Sequence, residues 1–240
     1  MSGHSKWSTI KRKKELTDGA RAKVFTKMGR EISIAVREGG PDPSVNFKLA
    51  TIIAKAKSAN VPNDNIDRAI KKASGSGEKD EYEVIVYEGY GAGGVAFIVE
   101  TLTDNRNRTA GDLRHFFDKF GGNLGQTGSV NYMFEQKGLI IIEAETADEA
   151  KLMEDCIESG AEDFEVNEDV YEITTAPVDF MAVCKALEKL GYKSISQELT
   201  YIPTNYTKVT DEEIKIKLEK FMDILDEYDD VSNVWHNLEE

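Results

Sequence analysis

At 240 residues and 40% hydrophobic content, the chain can bury the cores of two or three small domains. No apolar run approaches the roughly 20 residues that cross a bilayer, and no apolar segment of a secretory signal follows the N-terminal charges. Two Cys far apart, without a CxxC, exclude a disulfide framework and a zinc knuckle, so a protein of the reducing cytoplasm is expected. The formal net charge of -14 is unevenly spread: residues 1–75 hold 16 Lys and Arg against 7 Asp and Glu, and residues 76–240 hold 14 against 37. A basic segment on an acidic body points to a polyanion partner.

Residues 1–18 have no apolar period. Lys6, Lys11, Arg12, Lys13 and Lys14 crowd one another, with Trp7 and Ile10 among them. They read as an arm that orders on a partner, or as a solubilising tail, although a tail needs no tryptophan. Gly19 to Glu38 reads as a helix, because Phe25, Met28, Ile32 and Val36 recur at steps of three and four. Lys23, Lys27, Arg30 and Arg37 fall on the opposite face with Arg21 at its flank, and Ile34 intrudes among them. That face is a phosphate-binding stripe or an ordinary solvated one; its continuity with the arm favours the first. Asp42-Pro43 is expected to cap and open a second helix with Leu49, Ile52, Ile53 and Ala56 inward. Asn63 is expected to cap a third, which Gly75 ends.

Strand character begins at Glu83. Gly89-x-Gly91-x-x-Gly94 matches the spacing of a dinucleotide fingerprint, but that motif needs a helix next, and a β-branched run follows. A hairpin loop is expected. Residues 103–109 lead into a helix with Leu113, Phe116, Phe117 and Phe120 inward. Arg106 and Arg108 stand at its start, where the helix dipole disfavours cations; they await an anion or lie in a solvated loop. His115 has no ligand partner at metal spacing. The loop 121–129 lacks the Lys-Ser/Thr ending of a P-loop. It reads as a long turn, its amides a lesser candidate for a phosphate, before a strand around Val130 to Phe134.

Residues 138–203 alternate as βαββαβ, the order of a ferredoxin-like sandwich. Its first helix is expected to bury Ala150, Met153, Cys156 and Ile157, and its second Met181, Cys184, Leu187 and Leu190. A last helix follows Thr210-Asp211, then a turn at Asp229-Asp230 and a closing strand. The expected fold is α+β in three domains: the basic arm and a three-helix bundle (1–79), an α/β sandwich (80–134 with 205–240), and a ferredoxin-like sandwich inserted in it (135–204).

The motifs MSGHSKW (1–7), KVFTKMGREI (23–32), EGYGAGGVAFIVETLTDNRNRT (88–109) and GGNLGQTGSV (121–130) resemble the YebC/PmpR family over nearly the whole chain. Ser2 stands where Ala is frequent and Met28 where Leu is frequent. The resemblance implies a helical first domain and two α/β domains around a cleft. It also implies one of two roles: a probable transcriptional regulator that binds DNA, or a translational activator like the mitochondrial relatives, bacterial members being linked to rescue of ribosomes stalled on proline-rich sequence.

No nucleophile–base pair, metal cluster or carboxylate pair is legible, so no catalytic residue, metal, cofactor, small-molecule substrate or membrane partner is expected. No recognition helix for base edges is legible either. The expected partner is nucleic acid, either DNA or ribosomal RNA. The expected contacts are Lys6, Trp7, Lys11, Arg12, Lys13, Lys14, Arg21, Lys23, Lys27, Arg30, Arg106 and Arg108, with Trp7 stacking on a base.

Overall fold

The computed structural model describes residues 18–75, 82–167 and 169–239, with side chains from Phe25 onward except Ser58. The chain divides into two compact units, one within Leu16–Met133 and Pro203–Glu239, the other within Phe134–Ile202.

The first unit opens with three helices: α1 (Asp18–Gly39), α2 (Phe47–Ser58) and α3 (Asn63–Ser74). Met28, Ile32, Val36, Leu49, Ile52, Ala56 and Ile66 close a common core. α2 begins later than Asp42-Pro43 suggests. Asp42 caps only a turn, taking the Ser44 amide at 2.9 Å. Asn46 is the true N-cap; its Oδ1 accepts from Leu49 N at 3.0 Å. Its amide nitrogen donates back to the carbonyls of Ala35 and Gly40, both at 2.7 Å. One buried side chain therefore starts α2 and ties it to the end of α1. At α3, Pro62 holds the N-cap position and Asn63 is the first helical residue.

The unit continues as β1 (Glu83–Tyr90), β2 (Ala96–Thr103), α4 (Arg106–Lys119) and the short β3 (Asn123–Leu124). β1 and β2 form an antiparallel hairpin, Tyr90 opposite Ala96. Gly93 and Gly94 turn it with φ of 69° and 77°. The glycine spacing therefore serves a hairpin, and a strand follows it. Gly89 is needed for another reason: a Cβ there would lie 2.7 Å from the Phe117 ring and 2.6 Å from the Asn123 carbonyl. Where a strand was expected around Val130, a single 3-10 turn (Asn131–Met133) leads straight into the next unit.

That second unit holds β4 (Phe134–Glu143), α5 (Glu149–Ser159), β5 (Asp163–Val166), β6 (Val170–Thr175), α6 (Phe180–Lys189) and β7 (Ser194–Pro203). Its sheet order, β5-β6-β4-β7, is that of the ferredoxin-like sandwich. Of the line expected inward on α5 only Cys156 is buried, joined by Leu152; Ala150, Met153 and Ile157 face solvent. Apolar residues at 150, 152, 153, 156 and 157 support two stripes, and the Tyr192 hydroxyl on Asp155 holds the helix on the 152–156 side. On α6, Leu190 is likewise exposed, and Phe180 and Val183 fill the core beside Cys184 and Leu187. Burial pushes the Cys156 and Cys184 thiols up to about 11 and about 12, so both are protonated fillers of the interior.

The chain returns to the first unit through α7 (Glu212–Glu227) and β8 (Val231–His236), which completes the sheet β3-β1-β2-β8. Thr204 fastens the return, its amide and hydroxyl both reaching the Met133 carbonyl, at 2.9 and 3.1 Å. α4 and α7 cover one face of the sheet over Phe97, Phe117 and Phe221. These three rings pack edge-on at centroid distances of 4.7 to 6.3 Å.

Candidate nucleic-acid interface

The cationic line of α1 can be followed residue by residue from Lys27. Its Nζ donates to the Asp226 carbonyl at 2.7 Å. Three residues on, Arg30 Nη1 reaches Asp230 Oδ1 at 2.7 Å and the carbonyls of Asp229 and Leu102 at 2.9 and 3.2 Å. Its guanidinium lies over the Tyr82 ring at 5.2 Å. Ile34, on the same line, is buried, and Arg37 Nη2 donates to the Tyr82 carbonyl at 2.7 Å. The face that reads as solvent- or phosphate-facing is therefore seated on the α/β part of its own unit. Ile34 stands in that row as part of the same packed surface.

Asp230 is the centre of this seat, with a side chain only 4% exposed. Its second oxygen takes Arg108 Nη2 at 2.7 Å and the Thr109 hydroxyl at 2.8 Å, with the Thr103 hydroxyl at 3.2 Å. Burial alone would raise this carboxyl's pKa; hydrogen bonds from Arg108, Thr109 and Arg30 outweigh it and hold the group below its ordinary value. Beside it the Tyr228 hydroxyl donates to Asp112 at 2.6 Å, and burial followed by that carboxylate pushes the phenol's pKa up. Nothing in the local pattern marked Asp230 apart. It read as half of a turn doublet, and the only signal was an acid placed directly before a β-branched strand.

α4 begins at Arg106, with Asn105 as N-cap accepting Arg108 N at 3.1 Å. The two arginines at this start differ. Arg108 is answered by Asp104 at 2.9 Å as well as Asp230; Arg106 is exposed, and its guanidinium neither hydrogen-bonds nor pairs with a carboxylate among the described residues. His115 is exposed on the same helix, near only the Phe116 ring among the described aromatic groups. Lys6, Trp7, Lys11, Arg12, Lys13 and Lys14 lie outside the described residues. Arg21 and Lys23 lie on α1, with side chains outside the description.

The amides of the second glycine-rich loop have an internal ligand. Glu88, 5% exposed, accepts from Gly128 N at 2.7 Å, Asn131 N at 2.8 Å and Val130 N at 2.9 Å. A carboxylate on β1 fills the position a phosphate would take, and the loop is a turn that this side chain closes.

Comparison with known proteins matches residues 5–76 to the TACO1/YebC N-terminal domain and residues 82–238 to the TACO1/YebC second and third domains. The chain belongs to the YebC family. Family relatives called "probable transcriptional regulatory protein" are 57% identical in Finegoldia magna and 54% identical in Acetivibrio thermocellus. Each match spans 99% of this chain and 98% of the relative. The crystal structure of a conserved hypothetical protein from Aquifex aeolicus is 46% identical, with a TM-score of 0.82 over 92% of this chain and 91% of that one.

Proposed function

We propose that this protein is a non-enzymatic, nucleic-acid-binding regulator of gene expression, acting in the cytoplasm as a transcriptional regulator on DNA. The observation that carries this reading is the division of charge, 16 cations against 7 anions in residues 1–75 and 14 against 37 beyond them. The names of the YebC relatives favour the transcriptional role. Lys27, Arg30 and Arg108 are held by the fold, so the phosphate contacts rest on Lys6, Lys11, Arg12, Lys13, Lys14, Arg21, Lys23 and Arg106, with Trp7 stacking. Binding of this kind is dominated by phosphate, weakly sequence-specific and strongly salt-dependent.

The acidic remainder of the chain favours a second reading, a ribosome-associated factor whose arm enters ribosomal RNA while the body is repelled by bulk nucleic acid. Sedimentation of DNase-treated lysate, comparing the full chain with one lacking residues 1–17, separates the two. Co-migration with ribosomes that depends on the arm supports the second reading. Protein that stays at the top of the gradient, yet binds duplex DNA with a log–log salt slope of about −5 for six contacts, supports the first. A shallow slope on every nucleic acid defeats both.

A further inference from the structure

The middle of β4 is apolar without alternation, Leu139-Ile140-Ile141-Ile142, the pattern of a strand covered on both faces. One cover is evident. A Cβ at Gly138 would run into the Phe180 ring of α6, so Gly138, Ile140 and Ile142 point to the helices, and Leu139 and Ile141 point away from them. Register places Thr174, Glu172 and Val170 of β6 beside Leu139, Ile141 and Glu143 on that far face, with Asp163 and Glu165 of β5 next in line. The described helices packed on this sheet, α5 and α6, are both on its other side. A two-layer sandwich would leave the far face wet, yet Leu139, Ile141, Val170 and Glu172 are at most 1% exposed. A carboxylate is taken that far from water only with cations or donors around it. The face is rich in acid: Glu143, Asp163, Glu165 and Glu172 stand on it, and Lys137 already bridges Glu135 and Glu162. Residues 134–202 as a whole hold 17 Asp and Glu against 5 Lys and Arg.

We infer that this face is the docking site of the chain's own residues 1–17. That segment matches it in chemistry: five Lys and Arg against the single acid Glu15, with Trp7 and Ile10 among the cations. Trp7 and Ile10 cover Leu139, Ile141 and Val170, and the cations meet Glu143, Glu165 and Glu172. Seventeen residues extend to about 56 Å, some twice the width of a unit of this size, so the segment is long enough to cross the sheet. The cations that dock are those assigned above to phosphate. Docking and nucleic-acid binding therefore exclude each other, and the acidic unit withholds the arm until a polyanion competes for it. The competition rests on the nucleic-acid-binding reading above; the docking does not.

The test uses the full chain carrying Trp235→Phe, which leaves Trp7 as the single tryptophan. Trp7 emission should lie to the blue of free tryptophan and resist quenching by acrylamide. Glu143→Gln with Glu165→Gln, at an exposed and a half-buried position, should abolish both the blue shift and the shielding. Glu172→Gln should do the same in a chain that circular dichroism shows to be folded. If the arm is docked nine-tenths of the time, its release should tighten binding of a duplex DNA by about tenfold. Trp7 as accessible in the parent as free tryptophan overturns the docking. So does shielding that ignores the carboxylate changes, which places the arm elsewhere, and shielding lost on dilution, which assigns the face to a second copy's arm. Release without a gain in affinity for the duplex overturns the competition. If the released arm binds no nucleic acid at about 0.15 M salt, the nucleic-acid reading falls while the docking site stands.

Discussion

Helix α1 and helix α4 each carry a row of cations, and the fold treats the two rows in opposite ways. On α1, Lys27, Arg30 and Arg37 are each met by backbone carbonyls, and Arg30 also by the buried carboxylate of Asp230. On α4, Arg108 is taken into the same cluster, while Arg106 and Arg114 are exposed to solvent. The stronger-looking stripe is the internal one. A guanidinium offers five donors in a planar fork, so a row of arginines can grip a ring of carbonyls in its own chain as readily as the phosphates of another molecule. What separates the rows is the distribution of acceptors. The turn at Asp229-Asp230 presents a carbonyl and a carboxylate to Arg30, and Leu102 on β2 adds a second carbonyl; nothing equivalent faces Arg106 among the described residues.

The largest expected break in this contrast is Asp230→Asn. It leaves two guanidinium groups without their shared counter-charge and should cost about 3–5 kcal/mol, read as a lower urea midpoint at unchanged m. A loss below about 1 kcal/mol would mean the Arg30 pair is as weak as a solvated one, and the two rows would not differ. The same residue gives a pH signature. Its folded pKa is depressed, so its contribution is complete above the ordinary carboxylate value and fades as pH falls through the folded one. The stability gap between parent and Asp230→Asn should therefore be constant near neutrality and close as pH drops below about 4. A gap that persists into strong acid would assign the effect to packing.

Arg30→Lys should cost less, about 1–2 kcal/mol, because one ammonium cannot serve Asp230, two carbonyls and the Tyr82 ring together. Thermal unfolding at fixed pH measures it, and an unchanged midpoint would remove the planar fork from the account. The smallest effect on stability is expected at Arg106→Ala, within about 0.5 kcal/mol. The same change should flatten the salt slope of nucleic-acid binding by about 0.7–0.9. If Arg106→Ala destabilises as much as Arg30→Lys, the α4 row too has an internal partner.

Much of the architecture was legible because periodicity is local. The helices, the hairpin that a fingerprint spacing imitates, and the βαββαβ order all follow from residues within a few turns of one another. The failures share a cause. Arg30 and Asp230 are 200 positions apart, and no window of sequence contains both. Asn46 displaced Asp42 as the cap of α2 because its amide also finds Ala35 and Gly40. The inward face of α5 was decided between two equally apolar stripes by its packing against the sheet and by Tyr192 on Asp155. Glu88 was passed over because a lone acid in a strand looks solvated until the loop it closes is seen around it.

The clamp of Thr204 on Met133 carries a consequence for how such a chain can be cut and rejoined. A polypeptide that departs and returns at hydrogen-bonding distance leaves its host with a gap no wider than a tight turn. The intervening residues are a detour, and the entropy of closing that detour is set by its own folding rather than by the host's. Excision with a short linker should leave the sheet of β3-β1-β2-β8 and its helices able to form. Grafting a different compact module at the same two residues should be tolerated as well. Met133 and Thr204 are therefore the two residues at which one module should be exchangeable without redesign of the other.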